Sequence, residues 1–319
     1  MTDGRSPFFS VVIPVYNRAC PLRAAIASVL AQTEQDFEII VVDDGSADNP
    51  KQVVDTIADS RLRFVRQDNR GGGAARNAGI DLARGRFVAF LDSDDIFLPA
   101  HLATMRRLVE GTRNVACYAR IVVDRGQGHT FLKPPRAIAP NEHMASYLMC
   151  DRGFVPTTTL VVAGEMAARV RYDEQLPFAQ DTDFALRLFL AGCRFVMAEA
   201  PGAVWHDLPN PDRTSAGRKG ALAADWLEGL KPAIPAKAYH GARGWMIAKG
   251  VAMQSCMRAF RLYFAALTRG CYRPRLAPVI FLQIFCPDAL YRRLADRSIS
   301  LFRTTSWSHA AKRAPFPGE

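Results

Sequence analysis

The chain of 319 residues has room for one large domain or a domain with an appendage, and its 49% hydrophobic and 23% charged residues exclude a disordered or fibrous protein. Seven cysteines with no Cys-x-x-Cys pair show neither a disulfide framework nor zinc-ligand spacing, and MTDGRSPFF lacks the basic and then apolar regions of a signal peptide, so a reduced, cytosolic setting is expected. The net charge of +10 is uneven: residues 1–199 hold 23 Lys and Arg against 24 Asp and Glu, whereas residues 200–319 hold 18 against 7, a basic last third that suits an anionic partner.

Phe9 to Val15, FSVVIPV, reads as a strand apolar on both faces and ends at Tyr16, Asn17 and Arg18. Leu22, Ile26, Val29 and Leu30 then recur at helical spacing within residues 21–33. Phe37 to Val42 repeats the buried-strand pattern and runs into Asp43, Asp44, Gly45 and Ser46, with a helix predicted over 49–58. A third strand, Leu62 to Arg66, leads to the glycine run Gly71 to Gly73 and a helix over 74–83. This run fails the dinucleotide fingerprint, because Arg76 stands where the third glycine belongs, and no GxxxxGK[ST] phosphate loop is present. Glycines ahead of a helix still offer N–H groups to a phosphate, and Arg76 adds a fixed positive charge beside them.

Phe87 to Leu91 forms a fourth strand and meets Asp92, Asp94 and Asp95. Three acids within four residues repel one another; the residues alone leave open a cation site and a solvated acidic turn. Strands alternating with helices at this pitch predict crossover units and a largely parallel sheet. The polar loops after the first, second and fourth strands then collect along one edge, where a ligand binds.

Beyond Pro99 the pattern predicts a helix over 101–108, a strand over 115–123, a long loop or hairpin over 124–140, a helix over 143–150 and a strand over 157–162. In PFAQDTDFALRLFLAG, Asp181 and Asp183 open a helix that Gly192 ends, and acids in a first turn also serve simply as caps. Two short strands, 195–197 and 203–205, lead to His206, which by itself reads equally as a structural histidine.

Five blocks in order, SVVIPVYNR, IIVVDDGSAD, GGGAARNAG, FVAFLDSDD and QDTDFALRL, resemble glycosyltransferase family 2, the inverting GT-A enzymes, over about residues 9–215. The resemblance implies an α/β fold of GT-A type: a Rossmann-like, mostly parallel central sheet flanked by helices. On this reading residues 1–219 form the catalytic domain, with a nucleotide-binding half at 8–99 and an acceptor half at 100–219. It also implies transfer of a sugar, with inversion, from a nucleotide-diphosphate donor of UDP type to a hydroxyl of a glycan or lipid-linked acceptor, in cell-surface polysaccharide assembly.

Carried over residue by residue, the resemblance sets Pro14, Val15 and Tyr16 beside the nucleoside, Asp44 on the nucleobase and Arg76 on the nucleotide side. Asp92 and Asp94 match the DxD motif, the first approaching ribose or metal and the second binding Mg²⁺ or Mn²⁺; Asp95 falls beside the sugar or acceptor. Asp181 matches the catalytic base, Asp183 a cap or acceptor contact, and His206 a histidine near the metal or diphosphate. Arg213 and Ser215 resemble a loop that closes over the donor. Gln180 departs from the Glu that many relatives carry before the base, which bears on acceptor contacts. The rivals are a sugar nucleotidyltransferase, which would want a Gly/Arg/Lys-rich phosphate loop where this chain has PVYNR, and a catalytically silent scaffold.

Residues 220–319 read as a basic, mainly helical region. Ala277 to Phe285 falls well short of the ~20 apolar residues that span a bilayer. That run is flanked by Arg273 and Arg275 on one side and Arg292, Arg293 and Arg297 on the other, so residues 245–300 suit an anionic membrane surface; packing on the catalytic domain or a homodimer face is the alternative. No nucleic-acid motif accompanies the charge. A peripheral position on the inner face of the cell membrane is the expected location.

Overall fold

A computed structural model describes residues 6–112, 114–126, 128–207 and 220–301. The first half alternates as expected: β1 (Phe9–Val15), α1 (Ala19–Leu30), β2 (Phe37–Asp43), α2 (Pro50–Asp55), β3 (Leu62–Arg66), α3 (Gly72–Leu82) and β4 (Phe87–Phe90). β1, β2 and β4 are buried almost throughout, which is why their sequences are apolar on both faces. Next come β5 (Ile96–Phe97), α4 (His101–Val109), β6 (Val115–Asp124), β7 (Thr130–Lys133), α5 (Met144–Cys150), β8 (Val161–Ala163), α6 (Gly164–Val170), α7 (Gln180–Leu190) and β9 (Arg194–His206).

Among the described residues all nine strands join one sheet, in the order β3-β2-β1-β4-β8-β6-β9-β5, with β7 paired to β6. β3, β2, β1 and β4 are parallel, as are the long partners β6 and β9; the short ladders through β8, β5 and β7 are antiparallel. The chain reverses its direction of travel across the sheet at β1, so a crevice opens outside the carboxyl ends of β1 and β4. α3 reaches β1 closely because Gly79 carries no side chain: a Cβ there would stand 2.3 Å from Val12 Cγ1.

Two expected elements differ. Residues 157–162 are not a continuous strand; Thr157–Thr159 form a 3₁₀ turn before β8. The cause is the Thr159 hydroxyl, which accepts from Ala119 N–H at 3.2 Å and donates to Ala119 C=O at 2.9 Å, doing with a side chain what the ladder would do with backbone. The two strands expected over 195–197 and 203–205 are one, β9, whose register against β6 shifts around Arg120; the shift absorbs Glu199 to Gly202 as a bulge. α6 was not expected at all.

The C-terminal helices are α8 (Gly220–Leu230), α9 (Ala236–Ala242), a π-turn at Arg243–Ile247, α10 (Ala248–Val251), α11 (Cys256–Thr268), α12 (Ala277–Phe285) and α13 (Asp288–Leu301). They pack on the sheet-bearing part: Leu227, Ala238, Tyr239 and Ile280 lie in the same buried cluster as Val12, Val88 and Phe184. Trp226 Nε1 donates to Asp183 on α7 at 2.9 Å, and Arg125 after β6 pairs with Asp296 on α13 at 2.7 Å. Among the described residues no helix is long and apolar enough to cross a membrane.

Candidate active site

At the tip of β1, Tyr16 stands 49% exposed, whereas Val15 is buried and accepts the Asp44 N–H with its carbonyl. Asp44 organises the loop before α3: its Oδ1 accepts from Gln67 Nε2 (2.7 Å) and Arg70 N–H (2.9 Å), and Oδ2 accepts from Gly71 N–H (2.8 Å). A carboxylate can accept about four hydrogen bonds, so one acceptor position remains on Asp44. Pro14 is partly buried within β1.

The acids after β4 divide by environment. Asp92 accepts from Arg76 Nη2 at 2.6 Å, and Asp94 pairs with Arg18. Asp95 turns inward and is buried against Thr158, with Oδ1 lacking a hydrogen-bond partner among the described residues. Burial first, then the neighbouring Asp92 and Asp94, push its carboxyl well above the usual range. His206, at the end of β9, brings Nδ1 to 3.1 Å from the Asp94 carbonyl oxygen. Sequence positions 112 residues apart thus meet at one strand tip.

Arg76 joins this tip to α7. Its guanidinium is buried over the Tyr172 ring, donating to Asp92 from Nη2 and to Gln180 Oε1 from Nη1 at 3.2 Å. Burial, the largest influence, would ease its proton off, but the charge and hydrogen bond of Asp92, with Tyr172 and Asp181, together outweigh it and raise its value. Gln180 also donates from Nε2 to Leu176 C=O at 2.8 Å, and it lies so close to the glycine turn that a Cβ on Gly73 would sit 3.0 Å from that Nε2. Gln180 is therefore a bridge between the two motifs.

Asp181 follows it. Burial raises its carboxyl above the ordinary carboxylate value, opposed by the Thr182 N–H on Oδ1 (2.9 Å) and by the charges of Lys133 and Arg76. Asp183, two residues on, points elsewhere: it is buried, with Oδ2 taken by Arg187 Nε at 2.7 Å and Oδ1 by Trp226. Both oxygens of Asp183 thus take part in a tie within α7 and between α7 and α8. Arg213 and Ser215 lie outside the described residues.

Asp181 lines a cavity of about 1000 Å³ walled by β7, α5 and the C-terminal helices. A second cavity of about 1010 Å³ opens at the opposite sheet edge near Gly85 and Arg169 and contains none of the strand-tip acids. Lys133 and Arg152 share the Asp181 cavity, and neither belongs to any of the five sequence blocks. Lys133 lies in the stretch that reads as a long loop or hairpin; Arg152 follows an Asp and precedes a Gly.

The donor set suits a hard divalent ion. Asp92 and Asp94 offer carboxylate oxygens and Asp95 Oδ1 is an orphaned acceptor at the same tip. Among the described residues no three His, Cys, Asp or Glu side chains converge on one point, so such an ion would rely on one or two carboxylates and on phosphate oxygens.

Comparison with known proteins agrees with this geometry. Residues 10–176 match the family model for glycosyl transferase family 2. The amylovoran biosynthesis glycosyltransferase AmsB of Erwinia amylovora is 33% identical over 234 residues, covering 70% of this chain and 78% of AmsB. Among solved structures, S. aureus TarS 1-349 in complex with UDP-GlcNAc superposes with a TM-score of 0.62 at 20% identity, covering 92% of this chain and 93% of that one. The mannosyltransferase PcManGT of Pyrobaculum calidifontis, in complex with GDP-Man and Mn²⁺, gives 0.56 at 18% identity, covering 94% and 88%. With the strand-tip acids, the bridging arginine and the buried Asp181 set in that fold, the chain belongs to glycosyl transferase family 2 and is a glycosyltransferase of GT-A type.

Proposed function

We propose that the protein transfers a sugar from a nucleotide-diphosphate donor to a hydroxyl of a glycan or lipid-linked acceptor, with inversion at the anomeric carbon, in cell-surface polysaccharide assembly. The observation that carries this is the Arg76 bridge: one guanidinium touches both Asp92 at the donor side and Gln180, the residue before Asp181. It fixes the distance between a phosphate-facing acidic tip and a buried base, which a single displacement needs.

Tyr16 stacks on the base and Asp44 accepts its N–H; a uridine donor suits that one remaining acceptor position, and TarS is crystallised with UDP-GlcNAc. Asp94, with Asp92 and His206 alongside, would hold Mg²⁺ or Mn²⁺, which neutralises charge growing on the β-phosphate. Asp181 takes the acceptor hydroxyl proton as that oxygen bonds to the anomeric carbon. The bond from that carbon to the phosphate oxygen breaks on the opposite face, and the nucleoside diphosphate leaves with the electron pair. AmsB, named for amylovoran biosynthesis, supports the polysaccharide setting. The basic C-terminal helices, with Phe260 and Phe264 about 40% exposed between arginines, suit an anionic membrane surface.

Asp181→Asn keeps the size and hydrogen bonding of the side chain and removes the base. Transfer should fall by about 10²–10⁴-fold while the Kd for the nucleotide, measured by calorimetry with Mn²⁺, stays within a few-fold of wild type. Transfer at wild-type rate would remove Asp181 from the role of base.

A further inference from the structure

Lys133 and Arg152 repel one another inside the Asp181 cavity, and among the described residues neither makes an ion pair. Lys133 Nζ, on a partly buried side chain, sits 3.8 Å above the Phe154 ring and 5.2 Å from that of Trp205. Burial first, with Arg152 and Arg125 adding repulsion, lowers its ammonium to about 8 against the pull of Asp181 and Asp207. Arg152 is held at a backbone φ of +52°, in the left-handed region costly for an arginine, and its Nε is buried without a hydrogen-bond partner among the described residues. Its guanidinium lies 5.9 Å from the Trp245 ring. Two cations confined together, one on a strained backbone with an idle donor, mark a place where an anion belongs.

The far wall is apolar and leads outward. Trp245, Met246 and Phe285 line the cavity; the Phe285 ring is 6.0 Å from Phe260, which is 4.4 Å from Phe264. Phe260 and Phe264 are exposed on α11, so an aromatic track runs from the cations beside Asp181 to the surface between Arg258 and Arg261. A sugar, an anion and then a long apolar chain would fit this order of surfaces.

We infer that this cavity is the acceptor site and that the acceptor is a phosphate-linked amphiphile: its sugar hydroxyl at Asp181, its phosphate or diphosphate on Lys133 and Arg152, and its apolar chain laid over Trp245 and Phe285 toward Phe260. The inference rests on the function proposed above, and it names the class of acceptor and the residues that recognise it. Lys133 and Arg152 are binding residues for the acceptor, distinct from Arg76, Asp92 and Asp94 on the donor side.

Farnesyl diphosphate serves as the probe, with farnesol and inorganic pyrophosphate as controls, and binding to the full-length protein is read by calorimetry. Farnesyl diphosphate should bind at least 10-fold tighter than either control. Arg152→Gln and Lys133→Met should each weaken it about 10-fold or more, with Arg152→Lys recovering part of the loss. Phe285→Ala should weaken farnesyl diphosphate and leave pyrophosphate unchanged. Circular dichroism melts certify that each variant is folded, and UDP binding with Mn²⁺ should stay within two-fold of wild type. The inference is overturned if the three ligands bind alike, if the cation variants leave farnesyl diphosphate binding intact, or if they weaken UDP as much, which would give the cations to the donor diphosphate. Binding through Arg152 in a protein that turns over no nucleotide sugar would support this site while contradicting the function on which it rests.

Discussion

Asp181 and Asp183 show how little a residue type decides. They lie on the same first turn of α7, yet Asp183 spends both oxygens on Arg187 and Trp226, while Asp181 faces a cavity and meets only a backbone N–H and distant cations. Burial leaves the Asp181 carboxyl above the ordinary carboxylate value. On the proposed role of Asp181 as the base, its raised value predicts that kcat/KM for the acceptor falls as pH falls along a one-proton limb, with a midpoint above the ordinary 3.8. A limb at or below that value would place the essential ionisation elsewhere. Gln180 fits this arrangement: its amide holds Arg76 without a charge, whereas a Glu there would compete with Asp92 for the guanidinium.

The sheet elements were legible where burial leaves a simple mark. β1, β2 and β4 read directly because both faces are apolar, and α3 reads apart from its start, since Gly72 and Gly73 form its first turn rather than preceding it. Thr157 to Thr159 were not legible, since three β-branched residues suit a strand until the Thr159 hydroxyl takes over the backbone partners of Ala119. β9 hid its continuity behind Pro201 and Gly202, which belong to a bulge rather than a break. α4 carries a quieter cost. His101 is buried against the Phe97 ring at 4.4 Å, neither ring nitrogen has a hydrogen-bond partner among the described residues, and burial lowers its imidazole to about 3. The unfolded chain binds that proton below about 6.5, so stability is full above that pH and is lost as pH falls toward 3. His101→Phe should therefore lose less stability than wild type between about pH 7 and about pH 4, read from urea midpoints. Equal losses would mean that His101 is not the group responsible.

At the scale of the molecule, the site is assembled from both ends of the chain. The acids and Arg76 come from the amino half and could be read as motifs; the other wall comes from Lys133, Arg152 and the helices after residue 219, which no motif marks. Those side chains were illegible because their function lies in being brought together: a hairpin, the turn after α5 and the π-turn carrying Trp245 meet only in the fold. The C-terminal region thus walls the Asp181 cavity as well as carrying charge, and the Asp183–Trp226 and Arg125–Asp296 contacts tie it to the sheet-bearing part.

The central claim is a single displacement with Asp181 opposite the leaving group. The anomeric configuration of the first-formed product, followed by proton NMR with whichever nucleotide sugar the enzyme turns over, tests it most directly. An α-linked donor should give a β-linked product from the earliest time points. An α-linked product would require a second displacement and would contradict the account.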